Sequence, residues 1–343
     1  MADEPRVTRR VREVAGAATL DLDALIAANE PIIMRGFAAD WPLVRAGLTG
    51  SADASDYLRR FDTGQFVTGY IGAPEIRGRF HYDPTATAMN FAAERMSLPD
   101  FLDRVLACPT ENAPALYLGS TDLDTYLPGF RAENELRPAS DTFAQHPPLA
   151  SIWIGNRTIA SAHYDQSNNA AVCAVGRRRF TLFPPEQVAN LYPGPLAPTP
   201  GGQVVSMVDF AAPDLARYPR FADALAAGQV AELEPGDVLV YPALWWHHVE
   251  ALDAFNVLVN YWWNAAPAFM DTPMDTLLHA FLSLRDRPAP EKAAWRAMFD
   301  HYVFGDADAV AAHLPAGARG PLAPMSGGMA RQLRAYLLGR LNR

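Results

Sequence analysis

The sequence predicts a mainly β protein with flanking helices, and three observations carry that expectation. Glycine and proline number 23 and 29 in 343 residues, a density of turn-forming residues that suits short strands better than long helices. Between 148 and 263, short runs rich in Val, Ile, Leu and aromatic residues follow one another almost without a break, as strands of a packed β-core do. Beyond Pro267 the apolar residues fall instead at the 3.6-residue spacing of amphipathic helices. The expected division is a β-rich domain over 1–266, including an N-terminal elaboration, and a helical region over 267–343.

In chain order, residues 1–30 read as a lead-in with a short helix at Leu22–Ala28, followed by an apolar strand Pro31-Ile-Ile-Met-Arg35 closed by Gly36 and Asp40-Trp41-Pro42. Asp56–Phe61 looks helical and Gln65–Ile71 strand-like. Ser97 is placed to cap a helix opening at Leu98-Pro99, since serine side chains accept from the first free N–H groups and proline fits the first turn. Ala115–Leu118 is the next short strand. The β-rich block is then expected to contain Leu149–Ile154, Ala170–Val175, Arg179–Phe183, Val204–Val208, Ala231–Leu233, Val238–Tyr241 and Asn256–Trp263. Pro184-Pro185-Glu186 opens a short helix to Leu191, and Pro235-Gly236-Asp237 is a tight turn into an apolar strand. In the helical region Met274, Leu277, Leu278, Phe281 and Leu282 share one face, and Ser326–Arg343 repeats the pattern with Met329, Leu333, Tyr336, Leu337 and Leu341.

Composition narrows the function classes. The chain carries 29 Lys and Arg against 38 Asp and Glu, a net charge of −9 and a pI near 5.4. Such a chain repels phosphate backbones, so nucleic acid is not an expected partner. Two cysteines, Cys108 and Cys173, exclude a disulfide framework and a cysteine-rich zinc site. No apolar run reaches the length of about 18 residues that a membrane span needs. The first twelve residues hold acidic residues and arginines but no apolar stretch of a secretory signal, so the cytoplasm is the expected location.

His163-Tyr164-Asp165 carries the chemistry. On a strand, residues two apart point to the same face, so an imidazole and a carboxylate converge there as two ligands of one metal ion would. His81-Tyr82-Asp83 is a second copy, but it stands among Arg77, Arg79 and Pro84, a loop-like or edge-like setting. His163 lies inside the β-rich block, which also holds a third ligand candidate, His247, in Pro242-Ala-Leu-Trp-Trp-His247-His248. The distance along the chain suits ligands from well-separated strands of one antiparallel barrel. Two histidines and a carboxylate leave coordination positions open, which favours Fe(II) with a bidentate cosubstrate and O₂. Zinc hydrolysis with the same ligands is the alternative. Core histidines satisfied by hydrogen bonds are the bland alternative, weakened because an unpaired Asp165 on an apolar wall is costly.

The wider string of motifs points further. Ala162-His163-Tyr164-Asp165, Gly176-Arg-Arg-Arg-Phe-Thr-Leu-Phe-Pro-Pro185, Leu191-Tyr-Pro193, Val208-Asp-Phe210, Pro235-Gly-Asp237 and Trp245-Trp-His-His248 occur in that order. Together they resemble the JmjC/cupin-like iron and 2-oxoglutarate oxygenases over residues 80–268, with the closest likeness to the asparaginyl hydroxylase that inhibits hypoxia-inducible factor. The resemblance implies a double-stranded β-helix of the cupin or jelly-roll type, with His163, Asp165 and His247 holding Fe(II). It implies 2-oxoglutarate as cosubstrate, its far carboxylate held by Arg178, where the family has lysine, and by Tyr117. Asn169 and Asn260 match amides near the metal-side end of that cosubstrate. By side-chain alternation Arg178 faces opposite to Arg177 and Arg179, so one inward arginine is compatible with two outward ones.

Two positions depart from the family. Ala160 stands where a threonine would give the cosubstrate a hydroxyl, and Met207 is matched to the glutamine that grips a target asparagine. Methionine cannot make paired amide hydrogen bonds, so asparagine hydroxylation does not carry over. Tyr82 and Asp83 fall in the substrate-flanking loop, Trp262 and Trp245-Trp246 are placed to wall the pocket or pack the core, and His248 is read as packing beside the ligand. The expected partners are O₂ and an unidentified protein or small-molecule substrate. A homodimer through the C-terminal helices is expected because their apolar faces need burial and the resembled family dimerises there, the alternative being that they merely cover the open side of the barrel. The rival readings are a non-catalytic cupin-like binding protein and a metal-dependent hydrolase or isomerase on the same barrel.

Overall fold

A computed structural model of the chain describes residues 6–15, 19–109 and 111–342. Residues 1–5 and 16–18 of the expected lead-in, and Arg343 of the expected last segment, lie outside the described residues. The chain divides into two compact units, Met1–Asn264 and Ala265–Arg343.

The first unit opens with β1 (Arg12–Val14), α1 (Leu22–Ala27), β2 (Ile32–Met34), α2 (Pro42–Thr49) and α3 (Ser51–Arg59). It continues with β3 (Phe66–Gly72), β4 (Arg79–Phe80), β5 (Phe91–Ser97), α4 (Leu98–Leu106) and β6 (Ala115–Asp122). Three single-turn helices follow, α5 (Leu123–Tyr126), α6 (Phe130–Glu133) and α7 (Thr142–Gln145). The β-rich block is β7 (Leu149–Gly155), β8 (Ile159–Tyr164), β9 (Asn168–Val175), β10 (Arg178–Phe183), α8 (Phe221–Ala227), β11 (Gln229–Leu233), β12 (Val238–Tyr241), β13 (Trp246–Ala251) and β14 (Asn256–Trp263).

These strands form two sheets. One has nine strands in the order β1-β2-β12-β9-β14-β7-β6-β3-β5, the other five in the order β11-β10-β13-β8-β4. Apart from the β1–β2 and β4–β8 pairs, every strand pairing is antiparallel. The order is that of a double-stranded β-helix, as the resemblance implies, because the strands from β7 to β14 alternate between the sheets except at β10 and β11, which pair with each other in the smaller one.

Side-chain alternation explains why these segments lie where they do. On β14, Val257, Val259, Tyr261 and Trp263 pack into the larger core under the N-terminal helices, while Leu258, Asn260 and Trp262 face the other sheet. β9 does the same, with Ala170, Val172 and Ala174 outward to that core and Ala171 and Cys173 between the sheets. Each fully buried Val or Leu contributes about 1.5–3 kcal/mol, so a one-residue slip of either strand would exchange its two faces at large cost. A third cluster, including Ala162, Phe183, Phe221 and Trp246, lies behind the smaller sheet.

Several expectations need correction. Val204–Val208 is not a strand; only isolated bridges form there, Val205 to His163 and Ser206 to Pro193. The expected helix at Asp56–Phe61 ends a longer helical pair, because Pro42 starts α2 and Gly50 separates it from α3. The helix after Pro184 is a short 3-10 turn, Pro185–Ala189. Strands β8 and β13, which carry the two histidines, are immediate neighbours rather than well-separated members of the barrel.

The second unit contains α9 (Pro273–Ser283), α10 (Ala289–Tyr302), α11 (Ala307–Ala311) and α12 (Gly327–Leu341), the last capped by Ser326, whose side chain accepts from Met329 N–H. Among the described residues no helix is long and apolar enough to cross a membrane.

Candidate metal centre

β8 and β13 place His163 directly opposite His247 in the sheet register. Asp165 follows one residue past the end of β8. The turn between β12 and β13 brings the two regions together. Leu244, in the left-handed region at φ +66°, donates its N–H to the Asp165 carbonyl at 2.8 Å, and Ala243 N–H donates to Asn168 Oδ1 at 3.0 Å. A non-glycine residue in that conformation is strained, and such strain collects where backbone is held for a purpose. One ligand atom from each of His163, Asp165 and His247 lies within 4.8 Å of the others.

Both imidazoles are set for metal binding. His163 Nδ1 is 2.9 Å from the Ser161 carbonyl and His247 Nδ1 is 3.0 Å from the Trp245 carbonyl. Each Nδ1 therefore carries the proton it donates, and each Nε2 keeps a lone pair for a metal. Burial, with His163 beside it, holds the His247 pKa down to about 4, so the ring stays neutral at ordinary pH. His247 Nε2 is 3.5 Å from Asp165 Oδ2, and the indole N–H of Trp262 donates to that same oxygen at 3.0 Å. Imidazole nitrogens and a carboxylate of this kind fit a divalent transition metal.

A bulge decides what else faces the cluster. Register runs from His247 opposite His163 to Val249 opposite Ala160, so Ser161 and Ala162 together oppose the single His248. The extra residue shifts the alternation, and Ala160, three residues before His163, faces inward with it.

The three ligands border a cavity of about 350 Å³ between the sheets. Arg178 lies at its wall, 2% exposed, with Nε and Nη2 lacking a hydrogen-bond partner among the described residues. Its neighbours turn outward: Arg177 pairs with Asp253 at 2.9 Å and Arg179 with Glu232 at 3.1 Å. The Tyr117 hydroxyl interacts with Arg178, and burial pushes its pKa up to about 12, so it remains a donor. Asn260 lines the cavity and meets Asn169 at 2.8 Å; Asn169 stands behind it, outside the lining. Turned so that its oxygen faces the Trp262 N–H at 2.8 Å, the Asn260 amide also donates to the Ala170 carbonyl at 3.1 Å.

The rest of the lining is uncharged and includes a cluster of aromatic rings. Tyr117 stacks on Trp153 at 5.7 Å, Trp153 meets Trp262 edge-on at 5.8 Å, and Phe91 packs on Tyr70 at 5.4 Å. Met207 is not part of the wall. Its sulfur packs at Gly194, and the residues of the preceding segment that face the cavity are Thr199, Pro200, Gly201, Gly202, Gln203 and Val205. His81 also stays outside, with Nε2 3.0 Å from the Ser206 carbonyl. His248 is buried behind the ligand, stacked on Phe210 at 4.3 Å. Trp245 and Trp246 are likewise core residues, whereas Trp262 does line the cavity. Sequence reasoning missed the bulge, the Leu244 contact and the Trp262–Asp165 bond. Only the last had a signal, since Trp262 is two residues from Asn260 on one strand.

Comparison with known proteins places this architecture. Residues 17–269 match the family described as cupin-like domain. Lysine-specific demethylase JMJ31 of Arabidopsis thaliana is 27% identical over 271 residues, covering 69% of this chain and 46% of that protein. HSPB1-associated protein 1 of Rattus norvegicus is 38% identical over 115 residues, 33% of this chain and 23% of that one. tRNA wybutosine-synthesizing protein 5 of Danio rerio is 37% identical over 129 residues, 38% of this chain and 34% of that protein. The chain thus spans less than half the length of each of these relatives. With the double sheet, the enclosed cavity and a match over most of its length, the chain belongs to the cupin-like domain family.

Proposed function

We propose that this protein is an Fe(II)- and 2-oxoglutarate-dependent oxygenase that hydroxylates a C–H bond of a protein side chain or small molecule, releasing succinate and CO₂. One observation carries the reading: a buried guanidinium with two unpartnered groups faces the same cavity as the three-ligand cluster. A buried unpaired cation is costly, and a dicarboxylate bound at the other end to a metal would satisfy it.

His163, Asp165 and His247 would hold the metal. Redox activation of O₂, coupled to breakdown of the 2-oxo acid, is the chemistry Fe(II) supplies with such ligands. Arg178 binds the far carboxylate, and its planar fork allows two parallel bonds. Tyr117, kept protonated, donates a further hydrogen bond. Trp262 engages Asp165 Oδ2 and thereby orients the carboxylate. Asn260, braced by Asn169, offers an amide beside the metal-side end of the cosubstrate. The aromatic wall of Tyr70, Phe91, Trp153 and Trp262 excludes water from the reacting carbon.

The relatives' names speak of lysine demethylation and of tRNA modification, so they support oxidative chemistry without agreeing on a substrate. The relatives' names do not bear on the finer likeness to an asparaginyl hydroxylase, and Met207, matched to that family's glutamine, stands outside the cavity wall. We also propose a homodimer through the C-terminal helices, among which α9, α10 and α12 bury none of their described side chains.

The test is anaerobic absorption spectroscopy of the metal-free protein titrated with Fe(II) and then 2-oxoglutarate. A visible metal-to-ligand charge-transfer band is expected, lost in His163→Ala. Iron binding with no band on adding 2-oxoglutarate would refute the cosubstrate and favour a hydrolase or a binding protein.

A further inference from the structure

The backbone that carries His163 is supported unevenly. β13 covers one edge of β8, but on the other edge β4 pairs only at Ile159 and Ala160. The strap over residues 204–208 takes over from there: Ser206 N–H donates to the Ala162 carbonyl at 2.7 Å, and Val205 bridges to His163. The strap's other backbone partners are Tyr192 and Gly194, in the loop that precedes it.

Side chains on β4 and immediately after it hold this strap in place. Arg79 and His81 are two residues apart and reach the same neighbour. Arg79 Nη2 donates to the Val208 carbonyl at 3.0 Å, and His81 Nε2 lies 3.0 Å from the Ser206 carbonyl. Arg79 Nε also donates to Ser161 Oγ at 3.3 Å, on the residue whose carbonyl accepts from His163 Nδ1. One guanidinium therefore reaches the strap through the Val208 carbonyl and β8 through the Ser161 hydroxyl. Its side chain is 21% exposed, and its acidic partner, Asp209, stands at 4.0 Å. A largely buried cation so loosely paired adds little to stability, whereas its fork can fix two segments at once. Gly78, at φ +83°, permits the close approach, since a Cβ there would collide with the Arg157 carbonyl.

We propose that Arg79, assisted by His81, is a positioning residue for the metal ligand His163: it clamps the strap to β8 and so fixes the height and rotation of the imidazole. The proposal rests on the metal-centre reading and gives a task to the second His-Tyr-Asp motif, whose histidine serves the strap.

The experiment uses Co(II) as the probe, with binding followed by titration and ligand geometry by its visible absorption. Wild-type protein must bind Co(II) and His163→Ala must lose it; failure there refutes the metal centre, whatever Arg79 does. Arg79→Met is expected to weaken Co(II) binding by about 10- to 100-fold and to alter the band, as loss of a ligand-orienting partner does. Arg79→Lys should recover part of both. An Arg79→Met protein that binds Co(II) within about twofold of wild type, with the same band, overturns the proposal. If Arg79→Met does not fold, Ser161→Ala decides, because it deletes only the hydroxyl that Arg79 grips. Weaker binding with an altered band then supports the clamp, and unchanged binding overturns it.

Discussion

At Arg178 a guanidinium 2% exposed leaves two of its nitrogens without a protein partner, while Arg177 and Arg179 beside it are paired at the surface. An uncompensated buried charge costs several kcal/mol, so the position is unfavourable for folding and useful only when an anion arrives. Arg178→Met, apolar and slightly smaller, separates the two effects. It should raise the stability of the metal-free protein by about 1–4 kcal/mol, as replacing buried charge by packing does. It should also weaken 2-oxoglutarate binding by about 100-fold, the usual scale for losing a buried charged partner, and leave metal affinity unchanged. Urea unfolding and calorimetric titration read these outcomes, and undiminished 2-oxoglutarate affinity would remove Arg178 from the cosubstrate pocket. The inward turn of this residue was legible in the sequence because strand alternation separates it from its neighbours. Its missing partners were not, since they depend on what the opposite sheet offers.

On β8 a single extra residue sets the site. Ser161 and Ala162 share His248 as their cross-strand partner, so His163 and Ala160 both face the cavity although an odd number of steps separates them. Strict alternation would turn Ala160 away. Because the bulge points this position inward, Ala160→Thr should place a hydroxyl where it can reach the cosubstrate. Affinity for 2-oxoglutarate is expected to rise about three- to tenfold, the scale of one net hydrogen bond, with metal affinity unchanged. An unaltered titration would show that the cosubstrate does not approach residue 160. β7, β9, β12 and β14 were readable because both of their faces are buried in apolar cores, which leaves short, nearly continuous apolar runs in the sequence. β13 was not, since in Trp246-His-His-Val-Glu-Ala the polar His247, His248 and Glu250 interrupt the apolar run although most of the strand is buried. The bulge left no local mark either, being a relation between two strands 84 residues apart along the chain.

Across the whole chain the two units differ in how they meet the need to bury apolar surface. The first closes three apolar clusters around its sheets. In the second, Val310 and Ala311 of α11 are buried, while Leu282, Phe304, Tyr336 and Leu338 are exposed by 82, 76, 60 and 55%. Exposed apolar side chains of this number suit burial against a partner. A second copy is the occupant we propose, and a twofold pairing would set the same helices against each other. Light scattering of the full chain should give twice its 37.5 kDa mass, and its melting temperature should rise with protein concentration, as mass action requires. A chain ending at Ala323 loses α12 with Tyr336, Leu337, Leu338 and Leu341, and is expected to weigh as a monomer. If the shortened chain keeps the doubled mass, α12 is not the seam. A full chain that already weighs as a monomer refutes the dimer outright. Loss of α12 should leave the Co(II) spectrum intact, because His163, Asp165, His247 and every residue lining their cavity belong to the first unit.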